Sequence, residues 1–218
     1  KYCREFNLDD YKKNIKQAHK ELDALILEIK SKKSESRYEC IVALSGGKDS
    51  CFTLKYMAVE KKLKVLAITV DNGFLSDQSI INSQKICEDT GTDFIMFKPS
   101  FLFMKNMYKE SMKNEEKMSS KKIRASDMCS SCINLINSIM VKEALTRNIP
   151  MIAGGYIAGQ VPKGSCVIKL NLKTLYEFNI LKSHNSNERF YGANQEDIEK
   201  FTFSSYLSIV NPLLSINY

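Results

Sequence analysis

Apolar positions in the first stretch of the chain recur with the spacing of one helical face. Ile15, Ala18, Leu22, Leu25, Ile26 and Ile29 lie three or four residues apart between Asp9 and Lys32. That spacing predicts an amphipathic helix, with Asp9 or Asp10 available as its cap. The polar stretch Lys32-Lys33-Ser34-Glu35-Ser36 ends the pattern, and the unbroken run Cys40-Ile41-Val42-Ala43-Leu44 reads as a buried strand. After a loop at Ser45 to Asp49, Cys51 to Glu60 reads as a helix and Lys64 to Val70 as a second buried strand, together a β-α-β unit. A capped helix is predicted from Asp77 to Thr90, closed by Gly91 where a left-handed residue is wanted, and Phe94 to Phe97 makes a third strand.

Phe101 to Met112 has helical spacing and a wet face carrying Lys105, Lys109 and Glu110. Its Phe and Met side chains read either as core packing by adaptable groups or as a base-stacking or lid surface. Ile133 to Thr146 reads as a helix, and Met151-Ile152-Ala153 as a fourth strand running into Gly154-Gly155. Beyond Gly164, Cys166 to Leu172 alternates like a strand, Ser183 to Glu188 is a polar loop and Asn194 to Phe203 has a helical pattern. Strands alternating with helices predict an α/β fold: an open, mostly parallel sheet of Rossmann-like type, helices on both faces, with an N-terminal helical extension.

A chain of 218 residues, 44% of them hydrophobic, can bury a sizeable core. The start at Lys1-Tyr2-Cys3-Arg4-Glu5 lacks the layout of a secretory signal and no run reaches about 18 apolar residues, so a soluble, cytoplasmic protein with no membrane association is expected. A first residue other than Met and an apolar finish at Asn211 to Tyr218 predict a chain trimmed at both ends. The formal charge of +7 permits RNA or nucleotide binding, but a solvated surface accounts for it equally well. Seven cysteines without an export signal point to free thiols. Cys40, Cys51 and Cys87 fall in apolar segments and read as small buried hydrophobes, while His19 and His184 read as surface or interface residues.

Ser45-Gly46-Gly47-Lys48-Asp49-Ser50 joins an apolar strand to a helix, at the strand end where open α/β sheets bind ligands. Adjacent glycines let backbone approach phosphate oxygens, and a helix start offers N–H groups and a positive dipole end. Lys48 can neutralise phosphate charge, and Ser45 and Ser50 can donate hydroxyl hydrogen bonds. Asp49 makes sense with a bridging Mg2+ or as a cap within the loop. The spacing is not that of G-x-x-x-x-G-K-[ST].

The loop resembles the SGGxDS signature of PP-loop ATP pyrophosphatases, the N-type group of the adenine nucleotide alpha hydrolase-like (HUP-like) fold, over about residues 37–165. The resemblance implies that ATP is split into AMP and pyrophosphate, activating an acceptor oxygen as an adenylate. It implies a nucleotide-binding domain at 37–165, between an N-terminal helical extension at 1–36 and a C-terminal substrate or interface segment at 166–218. It also implies that Thr69 and Val70 backbone meets adenine and that Asp71 orders the following loop, where Asp71-Asn72-Gly73 otherwise reads as a simple turn. Gly154 and Gly155 would admit the nucleotide or substrate closely.

Cys129-Ser130-Ser131-Cys132 has the C-x-x-C spacing of metal ligation or thiol redox chemistry, with Cys3 and Cys166 as candidates to complete a site. The pair resembles that of tRNA 2-thiocytidine and 2-thiouridine synthetases, which implies a 4Fe-4S iron-sulfur cluster used in sulfur transfer. It also resembles that of N-acetyl sugar amidotransferases, which implies structural Zn2+ and an ammonia route. The thiolation enzymes carry a G-H-x-x-D-D-like segment after the fourth strand, where this chain has Gly154 to Pro162 with Tyr156 and Gln160. The expected function is therefore adenylylation of a carbonyl oxygen and its replacement by sulfur, with Lys48, Asp49, Cys129 and Cys132 as catalytic residues. The alternative is an ammonia-dependent amidotransferase. The acceptor is tRNA or a small molecule, a sulfur or ammonia donor protein is compatible with either route, and so is a homodimer.

Overall fold

The strands of the central sheet alternate their side chains between two layers of helix. β1 (Cys40–Ala43) sends Cys40 and Val42 to one face and Ile41 to the other. β2 (Val65–Val70) splits likewise, with Val65 and Ala67 on the first face and Leu66, Ile68 and Val70 on the second. All six β2 residues are buried, which is why its sequence is an unbroken apolar run. The computed structural model describes residues 8–32, 36–115, 127–157, 160–161, 164, 166–171 and 206–216.

Four more strands complete the sheet: β3 (Asp93–Phe97), β4 (Met151–Ala153), β5 (Val167–Asn171) and β6 (Tyr206–Val210). Their spatial order is β3-β2-β1-β4-β6-β5, every pair parallel except β5 with β6. The expected α/β architecture is therefore present. β6 is an addition to it: its five residues alternate only briefly, and it fills the gap between β4 and β5 from far along the chain. The loop at 183–188 and the helix at 194–203 lie outside the described residues.

The first face is covered by α1 (Leu8–Ser31), α2 (Lys48–Lys55) and α3 (Asp77–Thr90). α1 buries the predicted stripe, with Leu22 fully inside, and burying one such side chain is worth roughly 2 kcal/mol. The same helix packs on a 3₁₀ turn at Pro212–Ser215. α4 (Phe101–Glu115) and α5 (Asp127–Thr146) cover the second face through Met104, Leu135, Ile139 and Leu145.

Two helix boundaries differ from the sequence reading. α2 starts at Lys48, three residues earlier than expected, and gives way to a π-helical turn at Tyr56–Glu60, where Lys61 N donates to Tyr56 O at 2.9 Å. The wider turn buries Tyr56 and Met57 and turns Val59 and Glu60 outward. α5 starts at Asp127 rather than Ile133, so the cysteine pair sits inside the helix. α3 matches its prediction: Ser76 caps it by accepting from Ser79 N, and Gly91 ends it at φ 63°.

Candidate functional site

The loop from Ser45 to Ser50 is shaped by its two neighbours, α3 and the segment after β4. Gly46 has φ 73°, and a Cβ there would stand 2.0 Å from Ser79 O, so only glycine fits. Asn82 Nδ2 donates to Gly46 O at 3.1 Å, tying the loop to α3 a second time. On the other side Gly155 packs against the start of α2, where an added Cβ would lie 3.0 Å from Ser50 N. Chain order leaves β1 toward β2 on one side while β4 lies on the other, so the loop and Gly154-Gly155 face each other at the switch point of the sheet.

Inside the loop the hydroxyls work on one another. Ser45 N donates to Ser50 Oγ at 3.2 Å, Ser50 Oγ donates to Gly47 O at 3.0 Å, and the two hydroxyl oxygens are 3.1 Å apart. The proton of buried Ser50 is thus spent within the loop, where the sequence reading had it donate outward; Ser45 is exposed. Gly47 occupies the N-cap of α2 and no side chain caps that helix, which leaves its start open to an anion. Lys48 is largely exposed, and its Nζ lies 3.8 Å from Asp49 Oδ1.

Asp49 Oδ1 is buried and has no hydrogen-bond partner. A buried carboxylate oxygen left in that state costs stability, and a hard cation would satisfy it, so the donor chemistry fits Mg2+. A shallow cleft of about 340 Å³ runs beside the loop between α2 and α3, bordered by Gly46, Lys48, Asn82 and Lys85. It lies to one side of the strand ends on which Gly155 and Ser50 converge.

At the end of β2, Asp71 is buried and its N donates to Phe97 O at 2.7 Å. Its Oδ1 accepts from Gly73 N at 2.9 Å, and its Oδ2 pairs with Lys98 Nζ at 3.0 Å. The Gly73 N–H first and the Lys98 ammonium second hold the carboxyl below the usual carboxylate range. Thr69 Oγ1 donates to Leu44 O at 2.6 Å, locking β2 to the residue before the loop, and Val70 is buried beside it.

The turn after β2 reaches the cysteine pair. Asn72 Nδ2 donates to Cys132 Sγ at 3.1 Å, while its Oδ1 accepts from Phe74 N at 3.0 Å. Tyr108 Oη donates to Asn72 O at 3.5 Å beside Cys132, and burial first, then the neighbouring Cys132 thiol, push its phenol well above the ordinary range. Ser111 Oγ donates to Ser131 Oγ at 2.7 Å, fixing α4 against α5. Sequence reading missed Asn72, Tyr108 and Ser111. Asn72 and Cys132 are sixty positions apart, and only a guess at which loops meet at one sheet edge would have paired them.

Cys129 is exposed and Cys132 half-buried, one helical turn apart on α5. Cys166 does not join them: it is buried in the first-face core with Sγ 3.5 Å from Ala18 O, while α5 packs on the second face. Burial pushes its thiol up to about 12. Cys3 lies outside the described residues. Among the described residues no group of three His, Cys, Asp or Glu side chains is gathered, and Cys129 and Cys132 on their own do not complete the donor set of a zinc ion or an iron-sulfur cluster. After Gly155, Gln160 Oε1 accepts from Ile157 N at 3.0 Å. His19 pairs with Asp23 on the exposed side of α1. Among the described residues no helix is long and apolar enough to cross a membrane.

The family model of queuosine biosynthesis protein QueC matches residues 39–150. An uncharacterized protein of Methanocaldococcus jannaschii is 27% identical over 106 residues, which cover 49% of this chain and 36% of that protein. Among solved structures, the NH3-dependent NAD synthetase of Campylobacter jejuni in complex with nitrate superposes with TM-score 0.43 and 14% identity, covering 67% of this chain and 57% of that one. The U34-tRNA thiolase NcsA of Methanococcus maripaludis with its 4Fe-4S cluster gives 0.41 and 15% over 96% of this chain and 61% of that one. The NMN synthetase of Francisella tularensis gives 0.42 and 14% over 91% and 84%. The chain thus spans about a third of the curated relative that it matches and under two thirds of the first two structures. The matched family and the strand-loop-helix that carries Ser45 to Ser50 agree, and with just over half of its residues inside the QueC model the chain belongs to that family of PP-loop ATP pyrophosphatases.

Proposed function

We propose that the protein binds ATP across Ser45 to Ser50, adenylylates a carbonyl oxygen of an acceptor, and replaces that oxygen with sulfur carried on Cys132 and released by Cys129. The observation that supports this reading is the hydrogen bond from Asn72 to Cys132. It ties a thiol to the turn beyond β2, on the same sheet edge as the phosphate loop.

The open start of α2, Gly46, Gly47 and Lys48 bind the two outer phosphates, and Asp49 holds Mg2+, which when bound neutralises charge on the departing pyrophosphate. The acceptor oxygen attacks the α-phosphorus and the bond to pyrophosphate breaks. A sulfane-sulfur donor first charges Cys132 as a persulfide, whose terminal sulfur attacks the acceptor carbon as AMP leaves with the former carbonyl oxygen. The thiolate of Cys129 then attacks Cys132 Sγ, its proton passing to solvent, and the bond between Sγ and the transferred sulfur breaks. The products are a thiocarbonyl and a Cys129–Cys132 disulfide, which a dithiol reductant reopens.

The test incubates the full chain with ATP, Mg2+ and candidate acceptors, including carbonyl-bearing precursors of queuosine biosynthesis and RNA, and separates the nucleotide products. AMP formed only with an acceptor is expected; ADP would overturn the reading. Iron, zinc and acid-labile sulfide are measured on anaerobically purified protein. A colourless protein containing bound zinc would favour the ammonia route, and iron with sulfide would replace the persulfide by a cluster.

A further inference from the structure

Two exposed aromatic rings stand at matched positions on the sheet edge that carries the site. β2 ends at Val70 and β3 at Phe97, and these residues are partners in the parallel register. Phe74 and Phe101 are each the fourth residue beyond their strand's end, and they are 75% and 82% exposed. Sequence reading left the apolar residues of α4 between core packing and a stacking surface. The structure divides them: Met104 is buried, whereas Phe101, Leu102 and Met112 face solvent.

Phe74 is held rather than loose. Its ring meets the edge of Tyr108 at a centroid distance of 5.6 Å and an interplanar angle of 63°, and its N–H is bound by Asn72. Phe101 lies two helical turns before Tyr108, so it shares that side of α4. Exposed Lys105 and Lys109 continue the same stripe at the next two turns. The described side chains from Lys98 to Met112 include three lysines, Lys98, Lys105 and Lys109, against one glutamate, Glu110.

Exposed rings flanked by lysines suit a single-stranded nucleic acid: bases stack on the rings and ammonium groups follow the phosphates. An acidic peptide would use the lysines and leave two aromatic faces wet; a second apolar surface would use the rings and bury the lysines unpaired. We propose that Phe74 and Phe101, with Lys105 and Lys109, form a docking surface for unpaired nucleotides of an RNA. The inference rests on the adenylylation reading in one respect: it makes RNA the acceptor brought to the adenylate.

Binding of a short unstructured fluorescent oligoribonucleotide to the full chain, followed by anisotropy at low and at physiological salt, tests it without any turnover. Phe74→Ala and Phe101→Ala should each weaken binding roughly tenfold with the salt dependence unchanged, because stacking is not ionic. Lys105→Ala with Lys109→Ala should weaken it and flatten the salt dependence. Both rings are exposed, so a circular-dichroism melt should show these variants folded.

Absence of RNA affinity, or affinity that both Phe variants keep, overturns the surface, and so does a change of self-association instead of RNA binding. AMP formation with a small acceptor but no RNA affinity removes this surface and leaves the proposed chemistry standing. RNA affinity through the two rings with ATP cut to ADP does the reverse.

Discussion

Gly46 lies so close to Ser79 that a methyl group on its Cα would overlap the Ser79 carbonyl oxygen, at 2.0 Å. Two requirements coincide there, since the residue also sits at φ 73°. Gly73 has only the second: φ 88° with nothing within 4 Å of an added Cβ. Gly46→Ala must therefore move α3 or the loop, and should cost roughly 3 kcal/mol and abolish ATP binding. Gly73→Ala should cost about 1 kcal/mol and leave a nucleotide site that can still be titrated. Urea denaturation with calorimetric ATP binding on both variants separates the two.

Lys48 and Asp49 illustrate stability given up at a site. The Lys48 side chain is 79% exposed, so Lys48→Ala should leave the unfolding free energy within about 0.5 kcal/mol of the parent while AMP formation is lost. Retained turnover would remove Lys48 from the chemistry. Asp49→Asn replaces a buried charged oxygen that has no hydrogen-bond partner with a neutral one. The variant should be at least as stable as the parent and yet need more Mg2+ for turnover. Lower stability together with an unchanged Mg2+ requirement would refute the assignment of Asp49 as the cation ligand.

The parts of the fold legible in the sequence are those built from neighbours in the chain. β1, the loop and α2 run consecutively, so strand pattern, glycines and helix start point to one conclusion. Ser76 to Gly91 carries its own start and stop signals, and that helix was placed to the residue. β6 was not legible, because five residues with Ser208 in their midst become a strand only when β4 and β5 flank them. The Cys129 and Cys132 spacing was visible, but their surroundings were not. Asn72 and Tyr108 reach Cys132 from two other elements, and Cys166 is diverted to the opposite face because α1 covers it there.

The Asp71 carboxylate gives the fold a pH signature. The Gly73 N–H and Lys98 favour its ionised form, so its folded pKa lies below the unfolded value. A group depressed in this way contributes stability that is fully present above its unfolded pKa, about 4, and is lost as pH falls through the lower folded pKa. Asp71→Asn should therefore be less stable than the parent at pH 7, and the gap should narrow only below about pH 4. Lys98 is 76% exposed, so Lys98→Ala should have the smaller effect, weakening further with salt. Denaturant midpoints for the three proteins at neutral and acid pH measure this, and a gap that widened on acidification would contradict the assigned hydrogen bonds.

Thiol labelling of the folded protein reads the cysteine environments directly. Burial pushes the thiols of Cys87 and Cys166 up, to about 11 and about 12, and that of Cys40 higher still, so all three stay protonated and covered at pH 8. Cys129 is exposed and should be alkylated first. Cys132 should follow more slowly, because Asn72 donates to its sulfur and Tyr108 lies beside it. One turn of helix separates the pair, with Cβ atoms roughly 5–6 Å apart in a regular turn where a disulfide needs about 4 Å, so mild oxidation that joins Cys129 to Cys132 should loosen the start of α5 and protect both from alkylation. Cys132→Ser should then abolish sulfur incorporation while acceptor-dependent AMP formation continues, since adenylylation precedes the step that needs the thiol. Asn72→Ala keeps the thiol but frees it from the turn, and should slow sulfur incorporation roughly tenfold with the ATP concentration for half-maximal rate unchanged. Peptide mass spectrometry after brief alkylation, together with AMP and thiocarbonyl counted in the same reactions, measures both. Loss of AMP formation in Cys132→Ser would move that cysteine out of the transfer step and into the nucleotide site.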